Sequence, residues 1–505
     1  MRRRANNDTL KAALADLFEA GAGGRDSAVS WFTLAGGETL FHAGQAADTL
    51  YLLRSGRLGV FRKEEGHDPQ FLGVVRPGEP AGEMSMLAGT AHTSTVVALR
   101  DSEIAAMPRD AFMAAVQKHP EVMIELARVA ILRARERTVS GAAPSVFGFV
   151  SMRGRRIRPF VDQVVAGVEG LGFTIHVMDS GAARSTLEQR SQIEDGHDYV
   201  LYVAEGDEPA WAAQCARQAD RLFLVADAGD PAGPRARPLE EGALGRNRLV
   251  DLILVRDPGQ PRPYGTRRWI DGLSPARWFH VREAVREDAE RMARTLTGAS
   301  VGLVLSGGGA RAFAHIGAIT ALREAKTPFD FVGGSSMGGI ISAGLALGWD
   351  QHEMDQRIRK AFVESSPLDD IAFPILAMTR GRKVAQRLAE HFGDAEIEDL
   401  ALPYFCVSTD LTSGSYRVHR LGLLRRALRA SIALPGIMPP VVEDGCVLVD
   451  GAVVKNFPAD LMRAAHAGPV VGVDVSRALG VSAEAVDHDS NLWRWLISGE
   501  WRQGP

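Results

Sequence analysis

Hydrophobic and polar positions change rhythm twice along the chain. Leu10, Leu14, Leu17 and Phe18 stand at helical spacing, after which short apolar runs separated by glycines continue to about Pro108. Leu50–Leu53 and Leu58–Phe61 flank Ser55-Gly56, a pattern that predicts a hairpin. Many strands without intervening helices predict a β-roll or barrel. A long helix follows, with Pro120 in its first turn and Met123, Leu126, Ala127 and Ala130 on one face. Arg133, Arg135 and Arg137 at its end form a solvated basic face suited to a helix C-terminus.

From about Pro144 strands alternate with helices. Val146–Ser151, Phe173–Met178, Tyr199–Ala204, Leu222–Ala226 and Leu249–Val255 are compact apolar runs of the kind found in buried parallel strands, with helical stretches at Pro159–Leu171 and Pro209–Ala219. The loop Ser151–Arg155 lacks G-x-x-x-x-G-K-[ST], so no nucleotide cradle is expected there. Gly229–Gly245 reads as an exposed loop. A second strand–helix region opens near Ser300.

With 505 residues, a prior of about 150 per domain suggests three domains. The rhythm places them at 1–140, 141–298 and 299–505. A net charge of −4 argues against a general nucleic-acid binder, which carries a positive excess. Cys215, Cys406 and Cys446 are scattered and odd in number, giving neither a disulfide framework nor a zinc site; a cytoplasmic setting fits. Met1-Arg2-Arg3-Arg4 runs into polar Asn6, Asn7 and Asp8 where a signal peptide needs an apolar stretch. The apolar run Gly338–Trp349 is well short of the ~20 residues that cross a bilayer.

Candidate chemistry concentrates in the third region. Val301–Leu305 leads into Ser306-Gly307-Gly308-Gly309-Ala310-Arg311 and then a helical stretch. Consecutive glycines between strand and helix let backbone N–H groups approach a phosphate or a developing oxyanion. Phe329–Val332 leads into Gly334-Ser335-Ser336-Met337-Gly338, a G-x-S-x-G that only Ser336 satisfies, and then a helix at Gly338–Leu347. That is the setting of a nucleophile elbow. Cys446–Val449 ends in Asp450-Gly451, placing a carboxylate at a strand terminus where it serves Ser336 as base or merely caps a turn. Three alternatives stand beside this reading. His466 completes a Ser–Asp–His triad; Gly307-x-Gly309 with Asp330 is a broken dinucleotide fingerprint; or the domain is an inert sensor or scaffold.

Gly307–Arg311, Gly334-x-Ser336-x-Gly338 and Asp450-Gly451-Ala452 resemble, in order, the three motifs of patatin-like phospholipases. Thr409–Thr412, Arg429-Ala430-Ser431 through Pro440, and Asn456–Asp460 resemble the neuropathy target esterase branch. The resemblance implies a patatin-like α/β hydrolase domain with Ser336 as nucleophile, Asp450 as base and an oxyanion hole from Gly307, Gly308 and Gly309. It implies hydrolysis of carboxylic esters in phospholipids or lysophospholipids without metal or cofactor; joined to the cytoplasmic setting that the cysteines suggest, the expectation is a serine esterase that visits membranes peripherally. Arg311 is a candidate for orienting the glycine loop or meeting a lipid phosphate, with a plain surface role as the alternative. Ala312 stands where the family usually has glycine, which a negative φ tolerates.

Upstream, Trp211 and Cys215–Asp220 resemble the segment that links regulatory and catalytic parts in that branch, and the middle region is an α/β connecting module. The first region resembles a cyclic-nucleotide-binding β-roll whose cassette opens at Gly82-Glu83. The resemblance gives Glu83 to a ribose hydroxyl, but His92 stands where an arginine pairs with the cyclic phosphate. Neutral imidazole replaces a bidentate guanidinium poorly, so a structural or interaction module is expected rather than a nucleotide receptor. The chain ends soon after Asp450, where relatives add helices; Leu492–Ile497 is read as core or as an interfacial stretch.

Overall fold

A computed structural model describes residues 14–18, 28–62, 70–135, 144–185, 187–205, 208–230, 249–260, 262–366, 368–372 and 377–476. Arg2–Arg4, Leu10, Arg137, most of the Gly229–Gly245 loop and Leu492–Ile497 lie outside these residues.

The first sheet is antiparallel and is dominated by two 14-residue strands, Thr49–Arg62 and Thr95–Pro108, paired along their length. The Ser55-Gly56 hairpin is therefore corrected: the two apolar runs are one strand. Gly56 sits at an irregularity with φ 96°, where the register slips on both sides of Ser55 and a Cβ would lie 2.5 Å from the Asp101 carbonyl. A glycine that looks like a turn in one dimension is a bulge in the sheet. A short helix, Glu83–Ala88, also interrupts the strands.

The second sheet is wholly parallel. Its order is Arg277–Arg282, Leu249–Arg256, Arg221–Asp227, Val146–Ser151, Tyr199–Ala204, Ile175–Met178. Arg277–Arg282 has no apolar run to announce it, because three of its six residues are arginine or histidine and it forms an edge. The helices Arg158–Gly170 and Arg286–Thr297 pack so closely that a Cβ at Gly167 would lie 2.8 Å from Ala293 Cβ.

Asp220 joins the first two sheets. Its carboxylate accepts from Arg57 Nε at 3.1 Å and from the Ser145 and Val146 N–H groups, each at 3.1 Å. Arg100, 3.8 Å from the same carboxylate, also holds both oxygens of Glu194 at 2.9 Å. Burial opposes ionisation of Asp220, but Arg57, Arg100 and the two amides outweigh it and lower its pKa.

The third sheet runs Val441–Glu443, Cys446–Asp450, Tyr404–Asp410, Phe331–Ser335, Gly302–Leu305, Val470–Val473, with Ser415–His419 paired beside Tyr404–Asp410. Its middle strands are parallel, whereas Cys446–Asp450 is antiparallel to Tyr404–Asp410. Asp330, the acid of the dinucleotide alternative, precedes its strand; it pairs with Arg294 at 2.7 Å and accepts the Val301 N–H at 2.9 Å. These bonds make it a structural residue.

Candidate active site

Phe331–Ser335 is buried throughout and delivers Ser336 to the first position of the helix Ser336–Ala346. Ser336 has φ 51°, a left-handed conformation that costs a non-glycine residue about 1–2 kcal/mol. Its flanking glycines are required by close approach. A Cβ at Gly334 would lie 2.5 Å from the Leu305 carbonyl, and one at Gly338 would press on Leu305 and Ser306.

Ser336 Oγ donates to Asp450 Oδ2 at 2.7 Å, across 114 positions of sequence. Asp450 ends the strand Cys446–Asp450, is fully buried, and receives the Ala452 N–H on Oδ1 at 2.8 Å. Burial pushes its pKa up to about 6; the Ala452 amide and the Ser336 hydroxyl offset part of that rise. A carboxylate so tuned is ionised at neutral pH yet basic enough to take a proton from an adjacent hydroxyl. The Ser336 N–H in turn donates to Ser431 Oγ at 3.0 Å.

The glycine loop lies against the nucleophile: a Cβ at Gly307 would meet Ser336 Cβ at 3.0 Å. The three glycines are not equivalent. Gly307 N–H donates to the Asn456 carbonyl at 3.3 Å, which removes it from the expected trio of oxyanion donors. No hydrogen bond is made by the Gly308 or Gly309 amide among the described residues. Ala312 has φ −61° and is fully buried, so the methyl group is accommodated. His315 Nε2 contacts the Ser306 carbonyl at 2.9 Å beneath the loop.

His466 is elsewhere. Its Nδ1 contacts Ser300 Oγ at 3.2 Å and accepts the Gly468 N–H at 3.0 Å, while the ring stacks on Phe331 at 4.8 Å. Burial pushes its pKa down to about 4. The triad alternative is overturned by these contacts.

Three family models match in chain order: the cyclic nucleotide-binding domain over residues 31–119, the P-loop-like domain of the neuropathy target esterase (NTE) family over 173–301, and patatin-like phospholipase over 303–463. An NTE family protein of Mycobacterium tuberculosis is 33% identical over 87% of this chain and 74% of its own length. The chain belongs to the NTE family. Its similarity to the neuropathy target esterase of Drosophila melanogaster is 29% over 94% of this chain, which spans 38% of that relative. A lysophospholipase of Neosartorya fischeri is 26% identical over 94% of this chain and 37% of its own.

Within this NTE family member the remaining candidates divide. Arg311 is exposed and its side chain holds no partner among the described residues; the backbone N–H, not the guanidinium, ties it to the loop through the Gly308 carbonyl at 3.1 Å. Glu83 is buried in the first turn of Glu83–Ala88. His92 stacks on Phe41 with ring centres 3.7 Å apart. Burial lowers the His92 pKa, opposed by Asp48 and Glu83. Sequence reasoning assigned no role to Ser431 or Asn456, although both fall in stretches that resemble the family. Nothing local marks either, because each acts through a partner far away in sequence.

Proposed function

We propose that the chain is a serine esterase, organised as units 1–140, 141–298 and 299–505, that hydrolyses carboxylic ester bonds of phospholipids or lysophospholipids through a Ser336–Asp450 dyad. The observation that carries this reading is the 2.7 Å bond between a left-handed Ser336 and a buried carboxylate. Related proteins named as an esterase and a lysophospholipase support the substrate class.

Asp450 takes the hydroxyl proton as Ser336 Oγ bonds to the acyl carbon, and the carbonyl electron pair moves onto oxygen. The Gly308 and Gly309 amides hold that charge; a preorganised donor of this kind is worth roughly 3–4 kcal/mol. The ester C–O bond breaks as Asp450 returns the proton to the leaving alcohol. Water, deprotonated by Asp450, then bonds to the acyl carbon; the bond from that carbon to Ser336 Oγ breaks, the fatty acid leaves, and Asp450 returns the proton to Ser336 Oγ.

Peripheral contact with a lipid surface is supported by exposed apolar residues close to the dyad. Val453 follows Asp450 by three residues, and Leu434 follows Ala433, whose carbonyl accepts the Asp450 N–H. Ile371, 75% exposed, bridges to Thr379, which in turn bonds Ile437 near Leu434. Among the described residues no helix is long and apolar enough to cross a membrane. The β-roll is read as a structural or interaction module, because a neutral, stacked His92 lacks the charge to pair with a cyclic phosphate.

The test is fluorophosphonate labelling of wild type, Ser336→Ala and Asp450→Asn, followed by lysophosphatidylcholine hydrolysis. Wild type labels and hydrolyses; Ser336→Ala does neither, and Asp450→Asn loses at least about 100-fold. An unlabelled wild type indicates an inert scaffold and rejects the esterase reading.

A further inference from the structure

We infer that Ser431 is a positioning residue for the nucleophile, an inference that rests on the esterase reading above. The first amides of a helix have no acceptor within it. Ser335, which precedes the helix Ser336–Ala346, makes no side-chain cap, and its own hydroxyl is buried without a partner. The acceptor comes from a remote element instead. Ser431, the last residue of Leu424–Ser431, is fully buried and receives the Ser336 N–H on Oγ at 3.0 Å.

The Ser431 hydroxyl has one hydrogen, and it is donated to the Val407 carbonyl at 2.7 Å. Only lone pairs therefore face Ser336. Val407 is the register partner of Ser335 in the sheet, so the relay ties the left-handed nucleophile to the strand beside it. Two consequences follow. The Ser336 amide is withdrawn from the oxyanion, leaving that work to Gly308 and Gly309. The Ser335–Ser336 peptide is also prevented from rotating, which keeps Oγ on Asp450.

The experiment measures ester hydrolysis and fluorophosphonate labelling for Ser431→Ala, Ser431→Thr and Ser431→Val in the full chain, beside wild type and Ser336→Ala. Ser431→Ala and Ser431→Val lower kcat about 100-fold with KM unchanged, the scale of loss for reacting groups misplaced by about 1 Å. Ser431→Thr, which keeps the hydroxyl, retains activity, while isosteric Val controls for size. The acid limb of kcat/KM moves to higher pH in Ser431→Ala, because Asp450 loses the hydroxyl contact that lowers its pKa. Wild-type kcat and an unmoved acid limb in Ser431→Ala, or equal losses in Thr and Val, overturn the inference alone. A wild type that neither labels nor hydrolyses overturns the esterase reading and this inference with it.

Discussion

Gly307 N–H donates to the Asn456 carbonyl at 3.3 Å, while Asn456 Nδ2 returns a 3.4 Å bond to the Gly307 carbonyl. A Cβ at Gly307 would lie 2.5 Å from Asn456 Oδ1 and 3.0 Å from Ser336 Cβ. Gly307→Ala therefore forces one of those groups to move and lowers kcat by roughly 100-fold. Gly309→Ala enters open space and meets only the strain of φ 52°, so its loss is smaller. Steady-state hydrolysis of a soluble ester ranks the two variants, and the reverse order would contradict this packing.

Asp450 sets the pH dependence. Its pKa of about 6 makes the ionised base disappear as pH falls through that value, so kcat/KM carries an acid limb near pH 6. The sign for stability is opposite. A carboxyl raised from 3.8 to about 6 in the folded state destabilises the fold where it is ionised. At pH 7.5 the penalty is on the order of 3 kcal/mol. Asp450→Asn consequently raises Tm at pH 7.5, and the gain shrinks towards pH 4. Thermal melts at both pH values check this; a lower Tm at pH 7.5 would refute it.

His466→Ala leaves kcat unchanged, because the imidazole reaches Ser300, Gly468 and Phe331 rather than Ser336. It lowers stability by about 1–3 kcal/mol through lost stacking and an unpaired Ser300 hydroxyl. Kinetics and melting of one purified variant decide the matter. A loss of activity as large as that of Ser336→Ala would reinstate a histidine base.

Asp220→Asn leaves Arg57 and Arg100 buried without their shared countercharge, at a cost of about 3–5 kcal/mol. The lowered pKa of Asp220 means that its stabilisation is present above pH 3.8 and is lost as pH falls through the folded value. Urea unfolding at pH 7, followed by intrinsic tryptophan fluorescence, reports the weakened join between the β-roll and the parallel sheet as a lower midpoint. An unchanged midpoint would show that the pair contributes nothing net.

How much was legible depends on how local each signal is. Val146–Ser151 and Tyr199–Ala204 were readable to the residue because a parallel strand covered on both faces is a continuous apolar run. The edge strand Arg277–Arg282 has an arginine at each end and a histidine inside, which break up its apolar residues, and gave no such sign. At Gly56 the local signal pointed to a turn, but pairing with Thr95–Pro108 absorbed it as a bulge. Local chemistry determines which residue types are available: a serine between glycines that permit close approach, an aspartate at a strand end, three glycines before a helix. Only the tertiary structure decides their working states. It separates Gly307 from Gly308 and Gly309 through the Asn456 carbonyl, leaves His466 on Phe331, and brings Ser431 beneath the Ser336 amide. Burial of Asp450 sets its proton affinity, because desolvation depends on atoms from distant parts of the chain that no stretch of sequence contains.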